Sequence, residues 1–158
     1  MWQHKFRRDF LENNTLPQID RLRLDRLAEF RYQLRRFLSF SETEAERFGI
    51  AAQQYQLMQV IGSLPAGESA SISFLADRMV LRHNSTVELV DRAERAGLVQ
   101  RVSDERDLRR SLVVLTLHGQ DVLSRMVKAH LNELDGEPGE QLLKTLGEVR
   151  SSSANSIA

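Results

Sequence analysis

Residues 75–116 read LADRMVLRHNSTVELVDRAERAGLVQRVSDERDLRRSLVVLT, and the order of elements in this stretch decides the fold. A first helix carries Phe74, Leu75, Met79 and Leu81 on its apolar side, capped at its start by Ser71 or Ser73, and meets a polar turn at Leu81-Arg82-His83-Asn84. A second helix starts at Asn84 or Ser85 and ends before Gly97, the residue type that most easily takes the left-handed conformation past a helix end. Two strands rich in Val and Leu, 98–102 and 112–116, then flank a charged loop, as in a β-hairpin. A helix-turn-helix sets its second helix into the DNA major groove, and an arginine-tipped hairpin beside it reaches the backbone or the minor groove. The stretch points to double-stranded DNA.

On the second helix, Ser85, Glu88, Arg92 and Arg95 follow spacings of three, four and three and share one face. Thr86, Val90 and Ala93 occupy the opposite face and pack inward. The candidate contacts from this unit are Arg82, His83, Asn84, Ser85, Thr86, Glu88, Arg92 and Arg95. Asn84, Ser85 and Thr86 fall in the first turn, where free backbone N–H groups favour a phosphate. Ser85-Thr86-Val87-Glu88 is also a capping box, which assigns Glu88 to the helix's own amides before it assigns it to DNA. In the hairpin tip the candidates are Arg106, Asp107, Arg109 and Arg110, with Asp107 placed to hold and aim Arg109. Arginines outnumber lysines 19 to 3, which suits bidentate contact with phosphate or guanine and equally suits a genome rich in arginine codons.

Working outward, 158 residues with 41% hydrophobic content favour one domain. The formal charge of zero argues against a surface that binds nucleic acid everywhere, so local distribution carries the DNA argument. Residues 6–12 form a short helix broken by Asn13-Asn14-Thr15-Leu16-Pro17, and 19–40 form a long amphipathic helix that its own domain cannot cover, which makes a partner subunit the natural cover. Ser41-Glu42-Thr43-Glu44 is a helix start or linker before a helix over 50–64. Thr116 caps a helix reaching about Leu134, Asp135-Gly136-Glu137-Pro138-Gly139 breaks it, and a last helix covers 140–150 before a poorly ordered Ser/Ala/Asn tail. Phe37, Phe40, Phe48, Tyr55 and Met58 are candidate linings of an apolar cavity, although aromatic residues at helical spacing are more often core. No stretch approaches the ~20 apolar residues of a membrane span, no secretory signal stands at the amino terminus, and there is no cysteine. A cytoplasmic protein without membrane contact is expected.

From about Ile19 to Leu134 the chain resembles the multiple-antibiotic-resistance regulator (MarR) family of winged helix-turn-helix transcription factors. The resemblance rests on Leu89-Val90-Asp91-Arg92, Gly97-Leu98-Val99, Asp107-Leu108-Arg109, Leu115-Thr116 and Gly119, with Gln54-Tyr55 and Leu57-Met58 upstream. It implies a mainly α fold with a small β-hairpin. A winged DNA-binding lobe would span 50–116, with helical dimerisation regions at 6–40 and 117–150, all in one chain of 1–158. It also implies a homodimer on an inverted-repeat operator, repression, release by a small aromatic or phenolic anion, and entry of Arg109 into the minor groove with Asp107 orienting it. The family's basic residue between those two is Leu108 here, which moves the neighbouring phosphate contact to Arg106 or Arg110.

Two other classes compete. An enzyme or a metal site is disfavoured because His4, His83, His118 and His130 show no ligand spacing and no glycine-rich phosphate loop is present; no cofactor is expected. His130, on an apolar helical side, is a satisfied core or interface residue. A winged-helix module that contacts proteins and has no operator is the remaining alternative. DNA binding requires Arg82, Arg92, Arg95, Arg101, Arg106, Arg109 and Arg110 to form one positive surface, which Glu88, Asp91, Glu94, Asp104 and Glu105 could interrupt.

Overall fold

The computed structural model describes residues 21–65, 68, 70–104 and 111–154. In chain order the elements are α1 (Arg21–Arg47), α2 (Ala52–Gly62), β1 (Ala70–Ser71), α3 (Ile72–Met79), α4 (His83–Arg95), β2 (Val99–Ser103), β3 (Ser111–Leu115), α5 (Leu117–Leu134) and α6 (Glu137–Ala154). The chain divides into two compact units. One holds residues 36–140; the other takes, of the described residues, 21–35 and 141–154. The short helix expected over 6–12 lies outside the described residues. None of the described helices is long and apolar enough to cross a membrane.

The core belongs to the 36–140 unit. Tyr55, Leu57 and Met58 from α2, Leu75 from α3, Leu89, Val90 and Ala93 from α4, Leu98, Val99 and Val113 around the sheet, and Met126 from α5 are all fully or almost fully buried. Each large side chain buried in this way contributes about 1.5–3 kcal/mol of transfer free energy, which fixes α4 from behind. The sheet is antiparallel in the order β1-β3-β2, with Val99 opposite Leu115 and Ser103 opposite Ser111. The sequence pattern predicts a two-stranded hairpin. The third strand, β1, pairs Ala70 with Val113 and Ser71 with Leu112, and two residues are too few to show any alternation.

Three helix ends close in the same way. After α1, α3 and α4 the chain turns through one residue with positive φ, namely Gly49 (70°), Val80 (54°) and Gly97 (70°). At each, paired backbone bonds tie the turn back: Ile50 N to Ala45 O and Gly49 N to Glu46 O, Leu81 N to Ala76 O and Val80 N to Asp77 O, Leu98 N to Ala93 O and Gly97 N to Glu94 O. This is the Schellman arrangement, which favours glycine at the left-handed position. Thr116 then caps α5 by accepting from Gly119 N at 3.0 Å while its hydroxyl donates to Gly97 O at 2.5 Å.

The helix boundaries correct several expectations. Residues 41–44 neither start a helix nor link two; they continue α1, because their polar groups find partners within the fold. Thr43 Oγ1 donates to Ser39 O at 3.0 Å, Glu44 pairs with Arg47, and Ser41 is buried against His130. The last helix begins at Glu137, three residues early, because Pro138 falls in its first turn, where a missing N–H costs nothing. It runs on through residues 151–154, which composition assigns to a tail.

In the other unit, α1 and α6 carry exposed apolar side chains: Leu22 (56%), Leu27 (45%) and Leu143 (65%). Gln33 is buried and donates to Glu29 at 2.7 Å.

Candidate nucleic-acid interface

The site is built on α3, the turn 80–82 and α4. Ser71 caps α3, its Oγ accepting from Phe74 N at 3.2 Å. Arg82, extended at φ −70° and ψ 150°, is the N-cap of α4 and supplies no side-chain cap. The first amides of α4, from His83 to Ser85, therefore precede the helical ladder that opens with Thr86 N donating to Arg82 O at 3.0 Å. Such amides, together with the helix dipole, suit an anion.

Leu89, Val90 and Ala93 bury one face of α4, so the opposite face is turned outward. Arg82, His83, Asn84, Ser85, Glu88, Arg92 and Arg95 are all exposed there. Two expectations fail. Thr86 is fully buried, its Oγ1 donating to Arg82 O at 3.1 Å, and so has no surface to offer DNA. The capping box is absent because the helix starts at His83, which moves Ser85 inside its first turn and leaves Glu88 an exposed side chain of the second.

Acidic residues on α4 are drawn toward the sheet. Arg101 on β2 donates through its guanidinium to Asp91 Oδ1 at 2.5 Å and to Glu94 Oε2, while its backbone N–H donates to Glu94 Oε1 at 3.0 Å. Burial works against the charge of Arg101, but the hydrogen bonds from Asp91 and Glu94 outweigh it and raise the guanidinium above its ordinary range. Arg101 is thus spent inside the lobe and does not join the positive surface expected of it. The same contact pairs two carboxylates of α4 with a cation. Arg95 Nε donates to Asp91 O at 3.3 Å, steadying the exposed end of the helix.

The tip residues Arg106, Asp107, Arg109 and Arg110 lie outside the described residues. The strands that carry them, β2 and β3, are paired as far as Ser103 and Ser111.

A cavity of about 230 Å³ in the 36–140 unit is lined by α1, α2 and α5. Of the five aromatic and methionine candidates, Phe37 and Tyr55 line it. The other three do not. Phe40 packs edge-on to His130 with ring centroids 5.3 Å apart, Phe48 lies under the Arg125 guanidinium at 4.8 Å, and Met58 is fully buried in the core. Sequence reasoning missed Ser41, Gln56 and Gln59, which also line it. Their only signal was a polar residue on each side of the apolar stripe of a helix.

Among the described residues no group of three or more His, Asp or Glu side chains could hold a metal ion. His130 is a satisfied buried side chain: Nδ1 donates to Met126 O at 2.8 Å, and Nε2 shares a 2.9 Å hydrogen bond with Ser41 Oγ.

A helix-turn-helix whose second helix presents a polar outward face, flanked by the strands of a three-stranded antiparallel sheet, defines a winged-helix protein. The family model that matches residues 48–110 is that of the MarR family. The transcriptional activatory protein BadR of Rhodopseudomonas palustris is 29% identical over 107 residues, spanning 67% of this chain and 61% of BadR. The fold resembles wild-type MarR in its apo form from E. coli (TM-score 0.63, 17% identity, 78% of this chain and 92% of that one). It equally resembles the S. aureus MepR–DNA complex (TM-score 0.59, 20% identity, 78% and 96%). Over residues 48–110 the chain is thus similar to the MarR family, and its fold is that of the solved MarR-family structures.

Proposed function

We propose that this chain is a sequence-specific DNA-binding repressor that grips an inverted-repeat operator as a homodimer and is released by a small aromatic ligand. The observation that carries the reading is the outward face of α4. It shows Asn84, Ser85, Glu88, Arg92 and Arg95, while Asp91 and Glu94 are answered by Arg101. That face has the mix of amide, hydroxyl, carboxylate and guanidinium groups that reads base edges, with an uncapped helix start for a phosphate. A structural relative, MepR, has been solved as a DNA complex. Arg109, with Asp107 beside it, takes the minor-groove role, and Arg106 or Arg110 takes the adjacent phosphate. Exposed leucines on α1 and α6 supply an apolar surface for a second copy.

Footprinting on the DNA upstream of the chain's own gene tests this reading. A protected inverted repeat, with half-site centres about one helical turn (~34–36 Å) apart, is the expected result. Unprotected DNA at saturating protein overturns it and leaves the protein-contact role. The name of BadR supports a second sign of control, activation from the same kind of site. A reporter fused to the protected promoter separates the two: its output rises on deletion of the regulator for repression and falls for activation.

A further inference from the structure

Three acidic side chains lie on α4, and the fold treats one of them differently from the other two. Asp91 and Glu94 are partly covered, and each accepts a hydrogen bond from the Arg101 guanidinium. Glu88 is exposed, and among the described residues no cation or donor pairs with it, although Arg92 stands one turn further along the same helix. Its place on the helix is central. Thr86, Leu89, Val90 and Ala93 bury one face, and at about 100° per residue the line opposite them runs through Asn84, Glu88 and Arg95. Nor does the helix use this carboxylate for its own amides, since α4 opens at His83 and Glu88 falls in the second turn.

An unpaired carboxylate in the middle of such a face adds like charge toward a duplex that carries one negative charge per about 1.7 Å of its axis. It weakens binding unless a donor meets it. A carboxylate only accepts, and the major groove presents two amino donors, adenine N6 and cytosine N4. Adenine N6 stands between two acceptors, its own N7 and thymine O4, an alternation that suits the amide of Asn or Gln and repels a carboxylate. Cytosine N4 has an acceptor on one side only, the O6 of its paired guanine. Cytosine is the base edge that a carboxylate fits.

We infer that Glu88 determines specificity for a cytosine in each half-site, its carboxylate accepting a hydrogen bond from the N4 amino group in the major groove. Glu88 takes this role only if the chain reads duplex DNA through α4, as proposed above. Asn84, one turn or about 5.4 Å before it on the same line, then meets a base one or two steps of ~3.4 Å away. The contact works by exclusion as well as attraction. Opposite guanine or thymine the carboxylate meets only acceptors and stays unpaired, so wrong sites are penalised rather than merely left unrewarded.

Selection from random-sequence duplexes with the full chain, run side by side for the parent, Glu88→Gln and Glu88→Ala, reads the base preference directly. The parent is expected to enrich an inverted repeat with cytosine at one fixed position of each half-site. Glu88→Ala is expected to enrich the same repeat with that single position relaxed, and Glu88→Gln the repeat with adenine there, because a Gln amide pairs with adenine N6 and N7. In fluorescence-anisotropy titrations, exchanging that C·G pair for T·A is expected to weaken the parent about tenfold and Glu88→Ala by less than about twofold. On scrambled duplex Glu88→Ala should bind at least as tightly as the parent, since a like charge is gone. A motif left unchanged by Glu88→Ala, a base other than cytosine at the position it relaxes, or a Glu88→Gln protein that still selects cytosine overturns the inference and leaves the DNA-binding reading standing. A parent that enriches no sequence overturns the proposed function, and the role of Glu88 falls with it.

Discussion

Val80 occupies a conformation that its side chain disfavours. At φ 54° it holds the left-handed position of the same closure that uses glycine at Gly49 and Gly97, and its side chain is 91% exposed, so no packing offsets the strain. An L-residue there costs about 1–2 kcal/mol, and glycine gives back about 0.5–1 kcal/mol through the entropy of its unfolded state. Val80→Gly is therefore expected to stabilise the chain by about 0.5–1 kcal/mol, read as a higher urea midpoint with an unchanged slope. A lower midpoint contradicts the strain. Tyr55 supplies a pH effect of defined sign. Its folded pKa is raised by burial, so its contribution is intact below the unfolded value near 10 and is lost as pH rises through the folded one. The stability of Tyr55→Phe should fall less than that of the parent above pH ~10, by urea titration at a series of pH values. Equal slopes would refute it. Neither effect can be read from the sequence, because Val80 in a one-dimensional pattern is an ordinary apolar residue and the surroundings of Tyr55 come from three separate helices.

At the scale of elements, the segment 98–101 is held at two points. One is the Arg101 contact with Asp91 and Glu94, which bridges β2 and α4. These groups are partly exposed, with side-chain accessibilities of 28%, 48% and 38%, so Arg101→Met should cost only about 1 kcal/mol of stability. It should also leave two carboxylates unanswered on the face proposed to meet DNA and weaken binding to all duplexes alike, measured by fluorescence anisotropy on operator and scrambled DNA. Loss confined to the operator would contradict that account. The other point is Gly119 on α5, where an added Cβ would lie 1.9 Å from Leu98 O. That oxygen belongs to rigid backbone, so Gly119→Ala is expected to destabilise the chain by at least about 2 kcal/mol by thermal or urea unfolding; an unchanged midpoint would show that the junction yields. Much of this level was legible in the sequence. Gly97, the Thr116 cap and the Val/Leu strands have local signals, and they located α4, the sheet and α5 to within a residue or two. The start of α4 was misjudged because Ser85 and Glu88 imitate a capping box, while the true N-cap, Arg82, has no capping side chain. The continuation of α1 past Phe40 and the strand β1 depend on partners far along the chain, His130 for Ser41 and Val113 for Ala70.

The whole molecule poses a problem of charge and of surface. With 22 basic and 22 acidic residues, it has no excess positive field with which to hold DNA nonspecifically. Under the proposed function, two half-sites engaged together would supply the affinity, since a linked second contact multiplies the first by about 10²–10⁴ without new chemistry. The exposed leucines of α1 and α6 are the natural place for that link: Leu22, Leu24 and Leu27 recur along one helix, and Leu143 and Leu146 lie on the other, all accessible in the single chain. Charge placed there should separate two copies without disturbing the 36–140 unit, whose core contains none of these residues. The double variant Leu27→Glu/Leu143→Glu is expected to sediment as a monomer where the parent sediments as a dimer. It should keep its circular dichroism and bind a full inverted repeat about 100-fold more weakly, with affinity for a single half-site unchanged. If the variant remains dimeric, or binds the full repeat as tightly as the parent, the second copy is held elsewhere and the spacing of the two α4 helices has another origin.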